Sequence, residues 1–338
     1  MVMKQLLFAF YPTYVDWNHG VALLSAVCKN RQIETDLILL GQMDDFLVKI
    51  NNKQYDYICF SCINLQDYLY SLPFIIAATQ AGESVLLGGL YASRFKPVLK
   101  GVNLCIGDGE LLPLFVNRRI KGVLNNYICE NIEELPLPDY DLFNGIPYNR
   151  ELPWFPETTK YLFYASSRGC PFRCRFCTIW YQQPQYQRIR YKVGEDLTSL
   201  IAKYNPDMIA MGDSLPPYYD QKWRDSWGSV YHPFVSYIRA DIKEAELIWL
   251  YDHGLAACFF GVESGNEAYR NQILGKNLFD KDILRTVGLL KEMDVHYIAS
   301  FIRDTPGETW EIQGESAKFA REIGCRSRFY NYENRAVV

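Results

Sequence analysis

Short apolar runs alternate with stretches of helical periodicity along most of the chain. In the first part, strands are expected at Leu6–Tyr11, Thr35–Leu40, Tyr57–Ser61, Ser84–Leu87 and Val102–Ile106. Helices are expected near Gly20–Asn30, Met43–Asn51 and Leu72–Ala81, with another after Gly107-Asp108-Gly109-Glu110. The strands are continuously apolar, as strands covered on both faces are. The expected fold class is therefore α/β, beginning with a parallel, doubly wound, Rossmann-like sheet whose ligands sit at the carboxyl ends of its strands.

A second alternation starts at Tyr161. Its strands are expected at Tyr161–Ser166, Met208–Met211, Phe234–Ile238, Cys258–Val262, Tyr297–Ile302 and Arg328–Tyr332. Helices fall at Gly194–Tyr204, after Asp220, and at Lys243–Asp252, Lys281–Met293 and Trp310–Ile323. Between the two alternations Leu135-Pro136-Leu137-Pro138-Asp139-Tyr140, Pro147, Pro153 and Pro156 break the rhythm, because proline fixes φ and cannot join a central ladder. The expected organisation is a domain over 1–130, a linker over 131–157 and a second domain over 158–338.

Composition narrows the class. Hydrophobic residues make up 49% and charged residues 22% of 338, which suits a globular protein with a full core. A net charge of −4 without a long basic run points neither to nucleic acid nor to a membrane surface. The start, Met-Val-Met-Lys-Gln-Leu-Leu-Phe-Ala-Phe, has too short an apolar run for a signal peptide, and no stretch approaches a spanning helix. Ten cysteines without an export signal imply reduced thiols and a cytoplasmic location.

Three of those cysteines, Cys170, Cys174 and Cys177, lie in Ser-Ser-Arg-Gly-Cys-Pro-Phe-Arg-Cys-Arg-Phe-Cys, a C-x3-C-x2-C run. Zinc sites usually combine two ligand pairs; no second pair lies nearby and the chain has four histidines. Three thiolates can hold three irons of a cubane cluster and leave the fourth open to an outside ligand. Zinc and buried, unliganded thiols remain the alternatives.

The run, with Phe176 before the last cysteine, resembles the signature of the radical S-adenosylmethionine (SAM) superfamily. The resemblance implies a 4Fe-4S cluster on Cys170, Cys174 and Cys177 as metal ligands and catalytic residues, with SAM chelated at the open iron and cleaved to a 5′-deoxyadenosyl radical. The six β/α units match that superfamily's partial (β/α)6 barrel, where catalytic residues sit at carboxyl strand ends. Gly261-Val262-Glu263-Ser264-Gly265 is similar to the SAM-contacting segment of the cobalamin-linked branch, which marks Glu263 and Ser264. Arg239 offers a guanidinium for the SAM carboxylate, or an ion pair with Asp241 or Glu263. Asp213, in Gly212-Asp213-Ser214, partly resembles an acidic position of the family, facing SAM or substrate. Phe301–Thr309 resembles a family segment in which glycine is usual at the place of Asp304; Asp304 and Thr305 would border the substrate pocket.

The order of elements before the barrel resembles a cobalamin-binding domain. The matching pieces are Gly20, Ser61–Leu65, Gly88-Gly89, and Gly107 to Glu110, and the resemblance marks Gly20, Ser61, Leu65, Gly88, Gly89, Gly107 and Glu110 as corrinoid contacts. The D-x-H-x-x-G motif that supplies histidine to cobalt is absent, and Asp16-Trp17-Asn18-His19-Gly20 has the wrong spacing. His19 therefore reads as a loop residue. Cys28, Cys59, Cys62 and Cys105 fit a second cluster poorly and read as buried thiols.

Together these imply a cobalamin-dependent radical SAM C-methyltransferase acting on an unactivated carbon of a small molecule, peptide or protein, with an electron donor such as flavodoxin or ferredoxin. Cyclisation, epimerisation or dehydration without methyl transfer uses the same parts, and a non-catalytic iron–sulfur or corrinoid carrier or redox sensor is the reading of another class. The chain ends shortly after the sixth barrel strand, which would leave the barrel mouth open to a large substrate; Tyr181–Arg190 or Pro216–Tyr219 could equally close it.

Overall fold

In the computed structural model the described residues are 4–12, 18–118, 121–143, 154–156, 159–177, 179, 186–324 and 326–331. The chain divides into two compact units, Met1–Arg150 and Glu151–Val338, and the division lies inside the proline-rich stretch.

Six parallel strands form the sheet of the first unit: β1 (Lys4–Phe10), β2 (Ile33–Leu39), β3 (Tyr57–Ser61), β4 (Val85–Gly88), β5 (Val102–Gly107) and β6 (Val123–Tyr127). Their order is β2-β1-β3-β4-β5-β6, which reverses between β1 and β3. The connecting helices are α1 (His19–Lys29), α2 (Met43–Asn52), α3 (Leu65–Gln80), α4 (Leu90–Phe95) and α5 (Leu112–Arg118). Leu7, Ala9, Ile58, Phe60, Val85 and Leu87 form a core with Phe46 and Phe74 of the helices, each large side chain contributing about 1.5–3 kcal/mol by burial. Two elements carry no sequence signal. The strand β6 is Val-Leu-Asn-Asn-Tyr, which has no apolar run, and α4 is too short to show helical periodicity.

Residues 131–143 run along this unit. Asp139 accepts from Ser25 Oγ (2.6 Å) and pairs with Lys29 (2.7 Å) of α1. Tyr140 is buried, with its hydroxyl 2.9 Å from His19 Nδ1.

The second unit has β7 (Tyr161–Tyr164), a two-stranded antiparallel ribbon of β8 (Ser167–Arg168) and β9 (Arg188–Ile189), then β10 (Met208–Met211), β11 (Phe234–Tyr237), β12 (Leu255–Glu263), β13 (His296–Arg303) and β14 (Arg326–Asn331). The large sheet is wholly parallel and runs β7-β10-β11-β12-β13-β14 without reversal. Right-handed crossovers in unbroken order put every connecting helix on one face, so the sheet winds as an open β/α barrel. Those helices are α6 (Val193–Tyr204), α7 (Gln221–Trp227), α8 (Glu244–Asp252), α9 (Asp280–Glu292) and α10 (Trp310–Glu322). Trp223 and Trp227 of α7 are buried, and Trp227 meets Trp249 of α8 edge-on at 5.6 Å.

Candidate functional site

The cysteine loop grows from a braced root. Directly after β7, Ser166 donates to the Asp213 carboxylate through its N–H (3.2 Å) and hydroxyl (3.1 Å), and Ser167 Oγ donates to it as well. Trp223 Nε1 donates to Ser166 Oγ (2.9 Å), and Arg190 N to Ser166 O (2.8 Å). Burial pushes the Asp213 carboxyl up to about 6 against the pull of the serine donors. Arg190 is itself held by Asp196, which also accepts from Tyr164 Oη (2.7 Å).

The far side of the loop is docked on a π-helical turn, Tyr269–Ile273, of a kind frequent at functional sites. Arg175 N donates to Leu274 O (2.9 Å) and Arg175 Nη1 to Gln272 O (2.9 Å). Cys177 N donates to Cys174 O (3.0 Å), closing the turn between them. Burial raises the Cys170 and Cys177 thiols, while an N–H from Phe172 and one from Ile179 and the Lys276 ammonium pull them down.

Two cations reach this loop. Arg239, 7% exposed, follows β11. Its Nε pairs with Asp241 (3.0 Å), its Nη2 donates to the carbonyls of Lys276 and Asn277, and its Nη1 lies 4.0 Å from Cys174 Sγ. The guanidinium also covers Phe172 at 4.0 Å. Of the two expected ion pairs, the one with Asp241 forms. Glu263 instead meets Lys276 Nζ at 2.6 Å, with both residues 8% exposed. Lys276 stands 5.5 Å over Phe176. Glu263 has φ +69, where β12 and β13 lose register, and a Cβ at Gly261 would meet the Glu263 carboxylate and Lys276 Nζ, so the pair would have to shift to admit one.

Ser264 is fully buried, 3.4 Å from Ser316 Oγ of α10, and its carbonyl accepts from Arg270 Nη1 (2.8 Å). Arg270, fully buried in the π-turn, also donates to Leu278 O (2.7 Å) and Asp280 Oδ1 (2.5 Å). Asp304 has φ +61, so the turn keeps a left-handed backbone with aspartate in place of glycine. Thr305 Oγ1 lies 2.7 Å from Tyr269 Oη. Of the two expected covers, Pro216 to Tyr218 pack inward, with Tyr218 Oη accepting from Arg239 N (3.0 Å), and residues 180–185 lie outside the described residues.

In the first unit the marked residues lie at or after the carboxyl ends of β1, β3, β4 and β5, and of these strands β1 and β3 flank the reversal in strand order. Asn18 caps α1 by accepting from Val21 N (3.1 Å) and reaches Ser61 Oγ at 3.4 Å, next to Gly20. Leu65 opens α3 and is half exposed, as are Ile63 and Leu90, while Tyr11 stacks on Tyr70 at 4.2 Å. Gly89 is required by the fold itself: at φ +93, a Cβ would strike the Cys62 carbonyl. Gly88 ends β4; Gly107, at φ +89, accepts its place through an N–H to Ser93 Oγ (3.0 Å); Glu110 lies in the short helical turn after it. Asp16 and Trp17 lie outside the described residues. Burial raises the thiols of Cys28, Cys62 and Cys105 to about 12 and lifts that of Cys59 well above its ordinary value, as inert core thiols require.

Sequence reasoning missed Lys276 and Arg270. A lysine or arginine in a polar stretch normally reads as solvated, and only the π-turn folds these two inward.

No family model matches the chain. An uncharacterized methyltransferase of Pyrococcus horikoshii is 25% identical over 260 residues, 64% of this chain, and the chain spans about half (52%) of that relative's length. Among solved structures, the radical SAM methyltransferase TsrM from Kitasatospora setae, bound to tryptophan substrate and the SAM analogue aza-SAM, superposes with a TM-score of 0.75 at 14% identity, covering 97% of this chain and 73% of that one. A structure of TsrM with cobalamin and a 4Fe-4S cluster bound gives 0.73 at 12% identity, covering 98% and 72%. The chain thus shares its fold with a radical SAM methyltransferase.

Proposed function

We propose that this protein is a radical SAM enzyme that uses a 4Fe-4S cluster and cobalamin to methylate carbon. The observation that carries the reading is the cysteine loop at the carboxyl end of the first strand of an unreversed β/α sheet, flanked by the buried cations Arg239 and Lys276.

The residues fit the group. Cys170, Cys174 and Cys177 share one loop, two of them with N–H donors at sulfur, and cations beside them suit an anionic thiolate set. Among the described residues no three His, Cys, Asp or Glu are gathered around a single ion. When bound, the cluster supplies the electron that splits a carbon–sulfur bond of SAM. Arg239, Glu263 and Lys276 are the side chains that would hold the charged end of SAM, with Phe176 beneath Lys276. Ser264, turned towards α10, supports the loop that carries Glu263.

In the first unit, the half-exposed Ile63, Leu65 and Leu90 at the carboxyl ends of β3 and β4 suit an apolar corrin edge. His19, the single histidine of that unit, hydrogen-bonds Tyr140 Oη through Nδ1 and stands outside the D-x-H-x-x-G spacing. Cobalamin supplies the methyl relay, and the chain's part is to hold and shield it.

The test is anaerobic reconstitution with iron and sulfide, addition of SAM and dithionite, and chromatography for 5′-deoxyadenosine. Its formation is expected, and none forming sinks the radical reading. With hydroxocobalamin and substrate, S-adenosylhomocysteine is expected as the mark of methyl transfer.

A further inference from the structure

Of the charges around the cysteine loop, one meets a sulfur directly. Backbone N–H groups of Phe172 and Ile179 donate to the sulfurs of Cys170 and Cys177. At the buried Cys174 a side chain does so, with Arg239 Nη1 4.0 Å from Sγ. The loop thus gives two sulfurs donors from the main chain and the third a donor that carries a full charge.

The guanidinium has five N–H groups. Its Nε is held by Asp241 (3.0 Å) and its Nη2 by the carbonyls of Lys276 and Asn277. Its Cζ stands 4.0 Å from the centre of the Phe172 ring. These contacts hold the plane and leave Nη1 to Cys174, with one N–H over for the charged end of SAM.

The charge of Arg239 is also less cancelled than that of Lys276. Lys276 and Glu263 are equally buried, their side chains 9% and 10% exposed, so the loop meets a nearly neutral pair. The Arg239 side chain is 7% exposed, but that of its partner Asp241 is 32% exposed. Water screens the outer carboxylate more than the inner guanidinium, and a net positive field reaches Cys174. Hydrogen bonds to sulfur and local charge set the potential of an iron–sulfur cluster, and both favour the reduced, more negative state here.

We propose that Arg239 raises the reduction potential of the cluster through Cys174 and that Asp241 restrains it. The pair then sets how strong an electron donor the enzyme requires. In the step concerned, one electron passes from the donor to the cluster, and no bond forms or breaks. This rests on the radical SAM reading, which assigns a cluster to these three cysteines.

The experiment is a redox titration of the reconstituted protein without SAM, poised with dithionite and mediators and followed by the EPR signal of the reduced cluster. R239Q should lower the midpoint by about 59 mV, a tenfold shift in a one-electron equilibrium. R239K, which keeps the charge but loses the fork, should fall between R239Q and wild type. D241N should raise the midpoint, and by less, since water already screens Asp241. R321Q, in the last turn of α10, should leave it in place. A brace that merely held the loop would give shifts of one sign in R239Q and D241N, or loss of iron in both. A shift below about threefold in R239Q, or a D241N midpoint that fails to rise, overturns the proposal. If R239Q takes up no iron, R239K and D241N decide by the same signs. Wild-type iron content and EPR signal are scored separately. Their absence sinks the radical reading, and their presence with unshifted midpoints sinks only this role of Arg239.

Discussion

Taking Glu263 and Lys276 out of water costs several kcal/mol per ion before their attraction offsets it. K276M should therefore destabilise the protein by about 3–5 kcal/mol, because it leaves Glu263 charged and alone. E263M/K276M should recover much of that loss, and guanidinium unfolding curves of the three proteins check it. At Asp213 the folded pKa, about 6, lies above the ordinary value of 3.8. The folded state then binds more protons than the unfolded one between those values, so stability falls as pH rises from about 4 to about 6. D213N should remove roughly 1–3 kcal/mol of that dependence, measured as the difference between the two proteins' unfolding free energies across the pH range. The gathering of Cys170, Cys174 and Cys177 in one short loop was legible from spacing alone. Lys276 was not, because its burial comes from the π-turn and not from its neighbours in sequence.

Among the elements, strands with continuous apolar runs were legible to within three residues at each end, since a strand buried on both faces has no other composition. The ribbon of β8 and β9 was not, because each strand is two residues long and is held by side chains, Arg190 on Asp196 and Ser167 on Asp213. At the β4–α4 junction, G89A forces a Cβ into the Cys62 carbonyl at a left-handed φ. It should cost about 2 kcal/mol or more, read as a lower urea midpoint.

For the whole molecule, the two compact units lead to separable cofactor loading. The C170A/C174A/C177A variant should lose its iron and its visible absorption to background, yet bind hydroxocobalamin with the wild-type stoichiometry. Iron and cobalt analysis of the purified variant checks both. Loss of cobalt along with iron would count against assigning the corrinoid to the first unit's own residues.

Hydrophobic periodicity and cysteine spacing by themselves determined two successive β/α patterns and a three-thiol loop after the first strand of the second, because burial and ligand count are written locally in residue type. Tertiary structure alone decided that Lys276 pairs with Glu263, that Arg239 spends its donors on Asp241 and two carbonyls, and that Asp213 braces the cysteine loop from behind. These are choices among possible charge partners, and a charged side chain's partner depends on which distant strand ends the winding of the sheet brings together.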